Sequence, residues 1–233
     1  MIGEIALLPI MFGLILIGAH YISQRLHIQH DPNRMKIMSF AAGIFITYLI
    51  LHMLPQIYQV DVFFNRISLF SVLIGFALFH TIEKYIYQHE SGKKLREDLR
   101  NVHKALFFVY HVVIGIVLVN ITKLDIVNGI LLFIPILLFT AISAVSMKEI
   151  HEIMTRGKII KTILSVSTLF GVLIGIFLEI NMLVYNMLFG FMLGSLFYII
   201  MVESLPKERE GNPLYFILGL VLYSIIITFT WLV

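Results

Sequence analysis

Long apolar runs parted by short polar breaks dominate the hydrophobic pattern of this chain. A helix that crosses a bilayer needs about 20 mostly apolar residues, and eight runs qualify, at about 4–23, 37–57, 66–86, 104–121, 127–147, 159–178, 182–202 and 213–232. A barrel strand would alternate polar and apolar residues over about 10 positions; these runs are apolar on every face. The expected fold class is all-α, a polytopic membrane protein of eight transmembrane helices.

The polar breaks carry a second pattern. Arg25, Arg34 and Lys36 follow the first run, and Lys84, Lys93, Lys94, Arg96, Arg100 and Lys104 surround the break after the third. Lys148, Arg156, Lys158 and Lys161 follow the fifth run, Lys207 and Arg209 the seventh. Of 17 lysines and arginines these are 15, leaving Arg66 and Lys123 on the alternate side. Cytoplasmic loops accumulate Lys and Arg, so both termini are expected outside, in a multi-pass protein of the cell (plasma) membrane. The stretch at about 87–103 is expected to be a cytoplasmic loop against anionic headgroups, with His89 and His103 as weak metal contacts at most.

One run is written twice. Phe40, Gly43, His52, Leu54 and Pro55 recur as Phe191, Gly194, Glu203, Leu205 and Pro206, a constant 151 positions on. The charge pattern inserts the two copies in opposite directions, the mark of an inverted repeat, common in secondary transporters. Spans one to three (about 4–86) are thus expected to pair with six to eight (about 159–232) around a central pair (about 104–147), a 3+2+3 arrangement in one domain.

Composition agrees: apolar residues make up 59% and charged residues 13%, against roughly 45–50% and about 25% in soluble domains. The absence of cysteine removes thiolate ligands, cysteine nucleophiles and disulfides. Nothing points to nucleic acid. Glu4 is the only early charge, so the first run is expected to be a span and not a signal peptide. Phe63, Phe64, Tyr85, Tyr87, Tyr215 and Trp231 sit near run ends, as in an interfacial aromatic belt.

Ionisable groups inside spans cost roughly 2.5–3.5 kcal/mol at the centre of an inserted helix, so they usually face a cavity or a partner. His20, His52, His80, Glu83, His111 and Glu203 are such groups, and His80 and Glu83 share a helix face. The plainer alternatives are a cross-helix hydrogen bond for His20 and His52, and pairing with Lys84 and Lys207 for Glu83 and Glu203.

The layout, the His-x-Leu-Pro end of the second run, and Gly194 to Pro206, which reads Gly-Ser-Leu-Phe-Tyr-Ile-Ile-Met-Val-Glu-Ser-Leu-Pro, resemble the ZIP (Zrt/Irt-like) family of zinc and iron transporters. The resemblance implies a metal centre between the fourth and fifth spans, and there the chain departs from the family pattern. His111 matches the first imidazole, but Val112 replaces the amide, no carboxylate follows, and residues 138–146 offer only hydroxyls. His151-Glu152 imitates the fifth-span motif but follows a complete apolar run, which makes it interfacial. The chain thus resembles a divergent member.

The expected metal ligands are His111, His80, Glu83, Glu203 and His20. The expected function is divalent cation transport (zinc, iron, manganese or cobalt) through a partly degenerate site, the alternative being a pseudo-transporter acting as sensor or assembly partner. No prosthetic group and no enzymatic activity are expected. The expected partners are the lipid bilayer, the ion and, as one option, a second copy in a homodimer.

Overall fold

The structure, a computed structural model, describes residues 2–23, 33–59, 61–146, 158–204 and 211–232. They form α1 (Ile2–Ser23), α2 (Arg34–Tyr58, with a π-helical turn at Leu49–Met53), α3 (Val62–His89) and α4 (Gly92–Leu124). Then come α5 (Ile126–Ser146), α6 (Lys158–Phe177), α7 (Met182–Ile199, continued by a π-helical turn at Ile200–Ser204) and α8 (Pro213–Leu232). Every apolar run is helical, and no strand occurs among the described residues. The helices at Arg34–Tyr58, Val62–His89, Glu97–Leu124, Met182–Val202 and Pro213–Leu232 are long and apolar enough to cross a membrane. Shorter apolar helices lie at Leu7–Ile22, Ile126–Ala141 and Ser165–Phe177.

Short polar side chains start the helices. Asp61 Oδ1 accepts from Phe63 N at 2.9 Å, Asn181 Oδ1 from Val184 N at 2.9 Å, and Asn212 Oδ1 from Leu214 N at 3.1 Å, each occupying a backbone donor that the first turn leaves free. One expectation is corrected here. The polar stretch expected as a loop at 87–103 is helical except at Glu90 and Ser91, where Gly92 adopts φ 59°. Its Lys, Leu, Arg and Glu content is polar but strongly helix-forming, and Lys94 closes on Glu90 at 2.7 Å across one turn.

The packing is built on glycines at helix crossings. A Cβ at Gly43 of α2 would collide with Phe216 O and stand 2.8 Å from Leu220 N of α8; one at Gly194 of α7 would collide with Val72 O and stand 2.9 Å from Phe76 N of α3. The contacts are reciprocal. Gly219 of α8 meets Phe40 O and, at 3.3 Å, Ile44 N, while Gly75 of α3 meets Phe191 O and, at 3.0 Å, Ser195 N. The α2–α8 crossing thus repeats atom for atom as α7–α3. Positions correspond 151 apart between α2 and α7, and 144 apart between α3 and α8.

The two offsets differ by seven residues, about two helical turns, which keeps the same face toward the neighbour. They lie at the start of α3, which runs ten residues before Val72, against three before Phe216 in α8. The π-helical turns also recur, Leu49–Met53 and Ile200–Ser204 standing 151 apart. In α2 the widened turn precedes Pro55, which has no N–H for the carbonyl one turn back. Pro206, its counterpart, lies outside the described residues.

Crossing order fixes direction. Ser39 pairs with Asn212, Thr47 with Leu220 and Tyr48 with Tyr223, so α2 and α8 run parallel. Ser68 meets Asn186 and Glu83 meets Tyr198, so α3 and α7 do too. The π turn of α2 touches the body of α7 while the π turn of α7 touches the body of α2, an exchange that antiparallel helices make. The sequence copies therefore run in opposite directions.

The most extensive contacts are α3 with α7, α4 with α6, and α2 with α8, followed by α1 with α5 and α6. Helices α1, α4, α5 and α6 thus form one set and α2, α3, α7 and α8 another, joined by thinner contacts of α2 with α5, α4 with α7 and α3 with α4. Within the first set Gly115 abuts Thr168 O and Gly171 abuts Val112 O. Lipid tails give helices no hydrophobic reason to associate, so such backbone approach supplies the attraction through packing and Cα–H···O contacts.

Gly194→Ala should therefore lower stability in detergent by about 1–3 kcal/mol through overpacking, and Gly43→Ala by a similar amount. Gly18→Ala, whose Cβ would meet nothing within 4 Å, should leave it unchanged or slightly raised. Thermal unfolding followed by circular dichroism distinguishes these outcomes.

Candidate ion pathway

His111 of α4 is buried, and its Nδ1 lies 2.8 Å from Phe107 O. A carbonyl only accepts, so Nδ1 carries the proton and Nε2 carries the lone pair. Nε2 is buried without a hydrogen-bond partner. Metal-ligating histidines commonly have this arrangement, one nitrogen donating to a carbonyl and the other bare. The His111 ring stacks on Phe107 at 3.7 Å, and the buried His20 of α1 lies 5.7 Å from the same phenyl ring. Two imidazoles expected as ligands therefore flank one phenylalanine.

The other expected ligands gather elsewhere. Tyr198 of α7 donates to Glu83 Oε2 at 2.6 Å and meets the His80 ring edge-on at 5.9 Å. His80 is exposed and stacks on Phe76 at 6.1 Å. Glu83 therefore makes its close contact with a tyrosine of another helix. Between the two clusters lie Tyr110, 5.2 Å from the His111 ring, and Phe79, 6.4 Å from Tyr110 and 6.2 Å from Tyr198. No three His, Asp or Glu side chains among the described residues come close enough to hold a metal together.

Glu203 sits in the π turn of α7, and its side chain lies outside the described residues, as do His151 and Glu152. His89 Nδ1 donates to Tyr85 O at 2.9 Å within its own helix, and the His103 side chain is not described. Of the residues expected in an aromatic belt, Phe63, Tyr85, Tyr87 and Trp231 are exposed and Phe64 and Tyr215 half-buried.

His52 lies in the π turn of α2 and is buried. Its Nε2 is 2.8 Å from Gln56 Nε2, and its ring stacks on Tyr48 at 5.3 Å. Beside it opens a cleft of about 780 Å³ where α2 and α8 end and α4 turns into α5. Gln56, Gln59, Asp125, Asn128 and Thr230 line it with His52. Sequence reasoning passed over Asp125 and the three amides because they stand at run ends, where polar residues are ordinary. Below His52, Tyr48 is fully buried and its hydroxyl has no hydrogen-bond partner. Tyr223 packs edge-on to Tyr48 at 6.2 Å and donates to Leu131 O at 2.8 Å. The polar groups thus continue inward from the cleft in a line of aromatic rings.

The Tyr198–Glu83 bond ties α7 to α3 beyond the glycine crossing. Hydrogen bonds to charged groups contribute about 1.5–3 kcal/mol, so Tyr198→Phe should lower stability by about that amount in the unaltered chain and by much less in a Glu83→Ala background. A double-mutant cycle on thermal unfolding measures the coupling.

Compared with models of known protein families the chain matches none, and no curated protein sequence matches it.

Proposed function

We propose that the chain is a multi-pass transporter of divalent cations, with eight spans in a ZIP-like 3+2+3 inverted repeat and both termini outside the cell membrane. The observation that carries this reading is the duplicated crossing. Exchanging α1 with α6, α2 with α7, α3 with α8 and α4 with α5 turns the α2–α8 pair into α7–α3, α4–α6 into α5–α1, and α2–α5 into α7–α4, all of which are contacts of the bundle. Bundles assembled from oppositely directed halves offer two near-equivalent arrangements, which is how alternating access arises.

The moving bodies are then the two four-helix sets, and not the sequence repeats against a central pair, because each repeat is split between the sets. Their thinner contact is the surface along which they slide. His111, with its lone pair bare in the interior, supports a cation as cargo, since a borderline metal such as zinc takes imidazole nitrogen. The outward orientation follows from the charge pattern and puts the His52 cleft at the outer face.

A second reading is a fold-retaining sensor or assembly partner. Its support is Glu83, whose carboxylate is taken up by Tyr198.

Reconstituted protein in liposomes should take up zinc, cobalt or manganese with saturation. His111→Phe should keep the thermal stability, because it fills the same volume without a bare buried nitrogen, and should abolish uptake. Wild-type liposomes without saturable uptake of these ions would overturn the transport reading, and co-purification of a fixed partner would then favour the second.

A further inference from the structure

The cleft at the ends of α2 and α8 has the chemistry of a cation vestibule. Its polar lining consists of one imidazole, three amides, a hydroxyl, an indole and one carboxylate, and Asp125 carries the only formal charge among the lining residues. Its volume of about 780 Å³ holds on the order of two dozen waters at about 30 Å³ each. An ion with its first hydration shell therefore fits without stripping. Exposure falls inward, from exposed Asp125 and Gln59 through half-buried Gln56 to buried His52. A single carboxylate at the rim of a concave, partly apolar site focuses its field into the cleft. Amide oxygens and water can hold the hydrated ion there, and the Gln56 amide, whose nitrogen donates to His52 Nε2 at 2.8 Å, leaves its oxygen free for that shell.

We infer that this cleft binds a hydrated divalent metal cation, with Asp125 supplying the attractive charge and the amide oxygens of Gln56 and Gln59 contacts to its water shell. Calling it the mouth of a transport path rests on the proposed function; binding itself does not.

Asp125 also has a structural duty, since its Oδ1 accepts from Val127 N at 2.9 Å and starts α5. Asparagine caps equally well, so Asp125→Asn removes the charge and keeps the cap. Asp61→Asn is the matched control, a helix-starting aspartate outside the cleft lining.

The chain supplies its own reporter. Trp231, the only tryptophan, lines the cleft, and a bound cobalt ion quenches indole fluorescence only at short range. Purified full-length protein in lipid nanodiscs, titrated with cobalt chloride at constant ionic strength, should show saturable quenching. Asp125→Asn should raise the half-saturating concentration about five- to tenfold, as expected for loss of one nearby charge. Asp61→Asn should match the unaltered chain. Non-saturable quenching, or a curve unmoved by Asp125→Asn, would overturn the inference. The transport reading is judged separately by liposome uptake: quenching without uptake keeps the vestibule and removes the transporter, and uptake without saturable quenching does the reverse.

Discussion

Everything in this bundle depends on backbones that touch. In lipid the apolar side chains of α2 or α8 gain little by leaving the acyl chains for each other, so attraction must come from close packing. Gly43 and Gly219 bring α2 against α8, and Gly194 and Gly75 bring α7 against α3, each glycine presenting its bare Cα to a carbonyl of the other helix. Because contact is reciprocal, each crossing is fixed in register as well as distance. A slip of one residue would put a side chain where a carbonyl stands.

That constraint decides how the repeats relate. The first copy contributes α2 and α3 and the second α7 and α8, yet α2 closes on α8 and α3 on α7. Neither copy buries its glycine faces alone. The sequence unit and the structural unit therefore differ, and any large motion must leave the glycine crossings intact while shifting α4 and α5 past α7 and α2. Tyr110 against Phe79 and Phe45 against Phe139 are ring contacts on that boundary, at 6.4 and 5.8 Å. Edge-to-face rings favour a geometry without locking it, which suits a surface that slides.

The helices were legible because burial in lipid leaves only apolar runs, and the α2–α7 correspondence was legible because glycine and proline recur at one spacing. The α3–α8 correspondence was not, since Gly75 and Gly219 stand in otherwise unlike sequence and gain meaning only from the carbonyls facing them. The 87–103 segment misled for a different reason: polarity was equated with loop, although lysine, arginine, leucine and glutamate are good helix formers. At the candidate site the sequence singled out His111 and the His80–Glu83 pair. It was silent on Tyr198, which engages Glu83 from 115 positions away, a distance no local pattern encodes.

The bare Nε2 of His111 is the point at which fold and chemistry meet. A buried acceptor without a donor costs stability, and α4 could have satisfied both nitrogens or replaced the ring with a phenyl group of similar size. Its Nδ1 bond to Phe107 O is the cheapest way for a helix to hold an imidazole in one tautomer, because the carbonyl comes from the turn below. The result is a lone pair fixed in direction and left without a donor. The α3–α7 crossing holds that pair beside α4. On the proposed function, an exposed cleft with a carboxylate at one end of the bundle and an unsatisfied nitrogen in its interior would be complementary halves of one path for a cation, the first attracting it with its water and the second binding it without.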